Sequence, residues 1–128
     1  MLAVMGYFMA KRFSLFAVVS AVLILFTGPA AALELLVVER ANCSWCRLWN
    51  EEIAPVYAKS KEGRVAPIVR VDVRELPDVI FSGPIEYTPT FVLIENNREV
   101  DRIIGYSSQE TFWTALDTIL DEYYARTK

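Results

Sequence analysis

The chain of 128 residues contains no histidine and only two cysteines, Cys43 and Cys46. A zinc centre takes about three or four ligands from cysteine, histidine and carboxylate side chains, so this sequence offers too few of the first two kinds. The cysteine pair also closes a loop that is too short to restrain the unfolded chain much. We therefore expect no metal and no bound cofactor, and the two cysteines become candidates for redox chemistry.

Acidic residues are missing before Glu34, and this first part of the chain has the pattern of a secretory leader. A Lys-Arg pair precedes an apolar run over 13–26, and a run of alanines follows. These features predict a signal peptide over 1–32 and a mature domain over 33–128. A retained membrane anchor is the less favoured alternative. Either segment would deliver the domain to an oxidising compartment, for which we expect the periplasm.

Basic residues are in the minority in the predicted mature domain. It keeps all 16 acidic residues and loses only Lys11 and Arg12 from the 13 basic ones, so its formal net charge is −5 (11 − 16). An acidic domain repels polyanions, and nucleic acid and anionic membrane surfaces are not expected as partners. No repeat, linker or low-complexity stretch interrupts the domain, which predicts a single folding unit.

Ser44 and Trp45 separate the two cysteines, at a point where a predicted strand gives way to a predicted helix. This spacing brings both sulfurs within disulfide reach on the first turn of the helix. The helix dipole and the unpaired backbone N–H groups there favour a thiolate. We predict that Cys43 attacks and that Cys46, one turn further on, is shielded and resolves the mixed disulfide. A structural disulfide and half of a metal site are the alternatives.

Hydrophobic patterns divide the mature domain into elements in the order β-α-β-β-β-α. The first predicted elements are a buried central strand at 35–38 and a helix from 43 to about 60, which is capped by Asn42, interrupted at Pro55 and ended by 61–63. A buried strand at 68–73 and an irregular stretch over 73–86 follow. The last elements are a hairpin of strands at 90–95 and 98–104, with its turn at 96–97, and a helix from 107 or 108 to about 125. Trp49 and Trp113 are predicted core residues. This α/β order, with a mixed four-stranded sheet and flanking helices after a signal helix, resembles the thioredoxin fold, in which a Cys-x-x-Cys motif follows the first strand.

The thioredoxin resemblance implies a role for Thr88 and Pro89, which precede the third predicted strand. In thioredoxin-like proteins a proline at this place has a cis peptide bond and faces the cysteines. The resemblance thus implies a cis Thr88–Pro89 bond beside Cys43, with the Thr88 backbone pairing with an extended substrate segment. A trans proline that begins a strand is the alternative. Trp45 is a further candidate contact for a protein partner.

Three charged residues close to the motif are candidate modulators of the thiols. Arg40 and Arg47 are near enough in sequence to Cys43 to favour its thiolate, and Glu39 opposes them. Glu39 is also a candidate proton relay to Cys46, although a solvated strand end is the favoured interpretation of this residue.

A narrower resemblance covers the motif and the residues after it. The stretch Trp-x-x-Glu-Ile-x-Pro-x-Tyr, which begins at Trp49, is its most specific part. In this stretch and around it, the sequence is similar to the periplasmic thioredoxins of bacterial sulfur-oxidation (Sox) clusters, the SoxS type. The similar segments are 43–49, 52–57, 62–64, 66–67, 70–72 and 87–93. Ser44-Trp45 differs from the Pro-Tyr pair of such proteins, which implies a different redox potential.

The Sox resemblance implies a periplasmic thiol–disulfide oxidoreductase that reduces and reactivates a carrier protein of the thiosulfate-oxidising Sox system. The carrier would bear sulfur intermediates on a cysteine arm, and electrons would arrive through a membrane thiol-electron donor. A general periplasmic thioredoxin, acting in cytochrome c maturation or disulfide repair, is one alternative. A non-catalytic regulatory protein that senses redox state through its disulfide is the other.

Overall fold

The computed structural model describes residues 32–128, which form a mixed sheet with helices packed on it. The strands are β1 (Leu33–Glu39), β2 (Ile68–Asp72), β3 (Thr90–Glu95) and β4 (Arg98–Ile104), and the helices are α1 (Ser44–Glu52), α2 (Ala54–Tyr57), α3 (Lys61–Val65) and α4 (Gln109–Thr127). The predicted leader lies outside the described residues, except for Ala32. Within 32–128, no helix has both the length and the apolar character needed to cross a bilayer.

Over residues 32–128 the sheet has four strands in the order β2-β1-β3-β4. Strand β1 runs parallel to β2 and antiparallel to β3, and β3 runs antiparallel to β4. The turn between β3 and β4 is Asn96-Asn97, and both asparagines have positive φ, at 49° and 61°. Asparagine tolerates this left-handed conformation better than most residues, which explains the tight hairpin. The predicted mixed thioredoxin-like sheet is confirmed.

Each face of the sheet is covered in a different way. On one face, side chains of β1 and β3 pack against helices α1, α2 and α4. The residues buried there include Leu35, Val37, Trp49, Tyr57, Phe91, Leu93, Phe112 and Leu116. On the other face, Leu36, Val38, Val92 and Ile94 are covered by apolar side chains of the irregular segment 73–85. Strand β1 is therefore buried on both faces, as its continuous apolar run predicts.

The helix predicted over 43–60 is divided, and its predicted cap is wrong. Pro55 lies in the first turn of α2, because its missing N–H and fixed φ suit a helix start and not a helix interior. Asn42 has a φ of 60° and lies outside α1, whose N-cap is Cys43 itself. The sequence predicts that residues 61–63 end the helix, but they begin α3, with the hydroxyl of Ser60 accepting from the Gly63 N–H.

The sequence predicts a buried strand at β2, and the structure shows that β2 is a sheet edge. Within the described part of the chain it pairs only with β1, and Val69 and Arg70 are exposed. The Ile-Val-Arg-Val pattern alternates apolar and polar residues only in part, so it does not indicate whether the strand is central or at an edge. The position of the strand in the sheet depends on contacts between residues far apart in the chain.

The irregular segment between β2 and β3 is fixed by a buried ion pair on β4. The Arg102 guanidinium donates from Nε to Glu99 at 2.6 Å, and it also donates to the carbonyl oxygens of Gly83 and Pro84 at 3.0 and 2.8 Å. The Glu99 carboxylate accepts from the Ser82 N–H at 2.8 Å. These bonds hold residues 82–84, which precede Thr88 by four to six positions, and so they help to position the loop that faces the cysteines. Sequence patterns did not reveal this link.

Gly63 allows α3 to pack against the end of α2. A Cβ at this position would lie 1.9 Å from the carbonyl oxygen of Tyr57. An alanine in a helix is ordinarily about 1 kcal/mol more favourable than glycine, but here the backbone must move. We expect Gly63→Ala to lower the free energy of unfolding by about 1–3 kcal/mol in urea denaturation.

Gly83→Ala is the matched control, since a Cβ there meets no atom of residues 32–128 within 4 Å. This variant should stay within about 0.5 kcal/mol of the parent protein. Equal stability of the two variants would show that α2 and α3 do not meet at Gly63.

Candidate active site

The two cysteines lie between the end of β1 and the first turn of α1, and they are joined by a disulfide with a Cα–Cα distance of 5.2 Å. Asn42, with its positive φ, turns the chain from the strand into the helix. Cys46 is only 4% exposed, whereas Cys43 is partly exposed. The sulfur of Cys43 is therefore the one that another protein can reach.

Cys43 caps the helix that carries both cysteines. Its Sγ accepts a hydrogen bond from the backbone N–H of Cys46 at 3.1 Å. The donated N–H and the N-terminal end of the helix dipole place positive partial charge next to the Cys43 sulfur. This charge favours the negative thiolate in the reduced protein. Cys46 lies inside the first turn, where its buried sulfur is farther from the unpaired N–H groups at the helix start.

The loop before β3 faces the disulfide, and the Thr88–Pro89 peptide bond is cis, as the resemblance implies. The Thr88 carbonyl oxygen and hydroxyl each lie 3.4 Å from the Sγ of Cys43. The Pro89 carbonyl accepts from the Gly105 N–H at 2.8 Å, where Gly105 has a φ of 80° that suits glycine. Thr88 and Pro89 are thus brought beside Cys43, and the residue after β4 supports them.

An exposed apolar groove lies next to Thr88. Three large side chains line it with unusual exposure: Trp45 at 52%, Tyr87 at 65% and Ile104 at 61%. Together with Thr88, Gly105 and Tyr106 they enclose a volume of about 400 Å³. We call this the apolar groove. Trp45 was predicted as a partner contact. Tyr87 and Ile104 were not, because only the folded chain brings them together.

Tyr106 connects the apolar groove to helix α1. Its hydroxyl donates to the carboxylate of Glu52, and its ring packs in the core beside Phe112. Burial and the neighbouring carboxylate raise the pKa of Tyr106, so the hydroxyl stays protonated and keeps donating over the physiological pH range.

A second cavity, of about 680 Å³, lies on the opposite side of the motif, and we call it the polar pocket. Both cysteines line it, and so do the predicted modulators Glu39, Arg40 and Arg47. The structure therefore brings all three charged candidates to one cavity beside the disulfide. Arg40 and Arg47 are exposed, whereas Glu39 is partly buried.

Glu39 is held by two neighbours in the polar pocket. One carboxylate oxygen accepts from the Asn50 amide, and the other accepts from Arg70 at 2.9 Å. Arg70 also donates to Asn50. Among the described residues, no hydrogen bond joins Glu39 to either sulfur, so its role as a proton relay to Cys46 stays a prediction. Asn50 and Arg70 were not foreseen as its partners.

An aromatic cluster lies beneath the site. The Trp49 ring is fully buried, with ring centroids 5.1 Å from Phe91 and 5.8 Å from Phe112. This packing fixes α1 on the sheet and confirms Trp49 as a core residue. Trp113 is only partly buried and stacks on Tyr57 at 5.9 Å, so it lies at the border of the core.

Comparisons with known proteins identify the family. The family model described as Thioredoxin matches residues 32–118. The chain belongs to the thioredoxin family. The periplasmic thioredoxin SoxS from Paracoccus pantotrophus, solved in its reduced form, is 36% identical with a TM-score of 0.69, over 71% of this chain and 98% of that one. This similarity confirms the SoxS-type resemblance within the thioredoxin superfamily.

Curated thioredoxins are also similar, over part of their length. Thioredoxin H4-2 of Oryza sativa subsp. japonica is 37% identical over 76 residues, which are 59% of this chain and 57% of the relative. Thioredoxin H2 of Arabidopsis thaliana is 35% identical over 77 residues, which are 60% of this chain and 57% of the relative. The chain thus spans less than two thirds of these relatives.

The helix cap predicts which thiol of the reduced protein reacts first. A thiolate at Cys43 is stabilised by the Cys46 N–H, whereas the Cys46 thiol is buried. We expect limiting iodoacetamide at mildly acidic pH to alkylate Cys43 well before Cys46, as measured by mass spectrometry of peptides. The same reaction in denaturant is the control, and there the two cysteines should be alkylated alike. Faster alkylation of Cys46 in the folded protein would reverse the roles.

Proposed function

We propose that this protein is a periplasmic thiol–disulfide oxidoreductase that reduces a disulfide on a carrier protein of the Sox system. The observation that carries the proposal is the placement of the cysteines. The partly exposed Cys43 sulfur lies at the start of α1 and faces Thr88, and the buried Cys46 lies behind it. A reactive sulfur in front and a resolving sulfur behind are what disulfide exchange requires.

The reaction begins with the reduced protein. The Cys43 thiolate attacks one sulfur of the substrate disulfide, which forms a mixed disulfide and releases the other substrate sulfur as a thiolate. Cys46 then loses its proton and attacks the Cys43 sulfur, which breaks the mixed disulfide and releases the second substrate thiolate. Two electrons pass to the substrate, and the Cys43–Cys46 disulfide described here is the product.

Thr88 offers a docking edge for the substrate. Among the described residues, its backbone N–H makes no hydrogen bond, and its carbonyl faces the Cys43 sulfur. An extended substrate segment can pair with this backbone by strand addition, which brings the substrate's disulfide to Cys43. The apolar groove, with Trp45 and Tyr87, then receives an apolar side chain of the same segment.

The proposals for the compartment and for the target protein rest on the leader pattern and on the similarity to SoxS. We propose that residues 1–32 act as a cleaved export signal and that the domain works in the periplasm. The similarity to the periplasmic thioredoxin SoxS extends over 98% of that protein and 71% of this chain. The dithiol must be restored after each turnover, and in the periplasm this requires electrons from a membrane thiol-electron donor.

A general periplasmic thioredoxin is the second candidate function. The curated thioredoxins of the h type, with identities of 37% and 35% to this chain, favour it. Such a protein would reduce many disulfides, and the docking edge at Thr88 supports this, because backbone pairing is largely independent of the partner's sequence.

Reduction of an oxidised Sox carrier tests the proposal. The reduced domain should restore the free thiol of the carrier, measured by maleimide labelling, at a rate that exceeds its rate on generic disulfides. Cys46→Ser should stall as a mixed disulfide with the carrier after one attack, because no resolving thiol remains. Cys43→Ser should form no adduct.

The outcomes separate the candidate functions. Equal rates on the carrier and on generic disulfides would favour the general thioredoxin. Loss of exchange on every disulfide would reject both, and it would favour the redox-sensing alternative.

A further inference from the structure

The polar pocket has an uneven distribution of charge. Among the described residues, the pocket has two acidic side chains, and each has an arginine partner: Glu39 pairs with Arg70 at 2.9 Å, and Asp72 pairs with Arg74 at 2.8 Å. Arg40 and Arg47 also line the pocket and are exposed, and within 32–128 neither lies within ion-pairing distance of a carboxylate. The acidic charges are thus compensated, while two cationic side chains remain available beside the disulfide.

This positive pocket belongs to a domain whose formal charge is strongly negative. Dissolved salt screens the interaction between exposed charges that lie more than about 8 Å apart at physiological ionic strength. The electrostatic field at the disulfide therefore depends on the nearest charged groups and not on the net charge of the domain. The start of α1, where Cys43 is the cap, adds the positive end of a helix dipole to the same side. A substrate group that reaches the pocket therefore meets a local environment that favours an anion.

We propose that Arg40 and Arg47 bind a carboxylate of an acidic residue that lies next to the reacting cysteine of the substrate protein. This inference rests on the proposed function and specifies its substrate class. The guanidinium fork matches a carboxylate, and the pocket of about 680 Å³ has room for an acidic side chain. The recognised segment has an apolar side chain toward the apolar groove and an acidic one toward the polar pocket.

Two effects of the arginines must be separated. Positive charge near Cys43 favours its thiolate, and that effect changes the rate on every substrate by the same factor. Contact with a substrate carboxylate changes the rate only for acidic substrates. The ratio of rates on an acidic and a neutral substrate therefore reports the contact and cancels the effect on the thiol.

The experiment compares two peptide disulfides that are identical except for Asp or Asn on each side of the cysteine. The wild-type protein should reduce the Asp peptide about three- to tenfold faster, the range expected for one or two partly exposed ion pairs. The ratio should fall toward one in the double variant Arg40→Gln, Arg47→Gln, and also at high salt. The Lys double variant should keep part of the preference, because it keeps the charges but not the fork.

Arg98→Gln is the matched control. Arg98 is exposed on β4, at the opposite edge of the sheet from β2, and it does not line the polar pocket. This variant removes one positive charge, as each of the two pocket substitutions does, and it should keep the wild-type ratio of rates. A wild-type ratio near one, or a preference that survives in the double Gln variant, would overturn the proposal.

A binding measurement separates this inference from the proposed function. Versions of both peptides with Ser in place of Cys are titrated into the oxidised ¹⁵N-labelled protein. The Asp peptide should shift the side-chain Nε–H resonances of Arg40 and Arg47, and the Asn peptide should shift them much less. If neither disulfide peptide is reduced, the oxidoreductase function fails. Even then, equal shifts with both peptides would overturn the pocket's preference, and a selective shift would support it.

Discussion

The placement of the active site depends on the burial of one side chain, Trp49. The ring packs against Phe91 of β3 and Phe112 of α4 on the helix-covered face of the sheet, and its position fixes α1, the helix that Cys43 caps and that contains Cys46. Replacement of a buried tryptophan by alanine costs about 3–5 kcal/mol, which is a large part of the stability of a domain of this size. Its indole N–H has no hydrogen-bond partner in the described part of the chain, so the ring is held by packing and by the Arg70 guanidinium, which lies 5.6 Å from its centroid. The position of Cys43 over Thr88 is thus a consequence of core packing.

The disulfide separates two surfaces of different chemistry. On one side lies the apolar groove with Trp45, Tyr87 and Ile104, and on the other lies the polar pocket with Arg40 and Arg47. Disulfide exchange itself needs only the two sulfurs, a stabilised thiolate and a place for the substrate backbone. The surfaces on each side can therefore select partners without changing the reaction. In the proposed function, these two surfaces select the substrate, while the two cysteines carry out the exchange.

The sequence predicts the parts of the site that depend on short-range patterns. Short stretches of the sequence predict the Cys43–Cys46 spacing at a strand-to-helix junction and also the order of the elements. The family resemblance implies the cis bond at Pro89. The cap was predicted wrongly because Asn42 is a better capping residue by propensity, yet the backbone turns at Asn42 and leaves Cys43 to accept the N–H. The ion pair of Glu99 and Arg102 and the partners of the modulators depend on contacts far apart in the chain, which no periodicity reveals.

In the proposed function, the Cys43 sulfur is the point of contact with a periplasmic protein disulfide. The most direct measurement is the capture of covalent partners in a cell that produces the full chain with Cys46→Ser, followed by mapping of the joined cysteines by mass spectrometry. We expect mixed disulfides that run through Cys43 to a cysteine of an exported protein, with a Sox carrier prominent among the partners, and none with Cys43→Ser. Adducts formed through Cys46 in the Cys43→Ser protein, or no adducts in either variant, would contradict it.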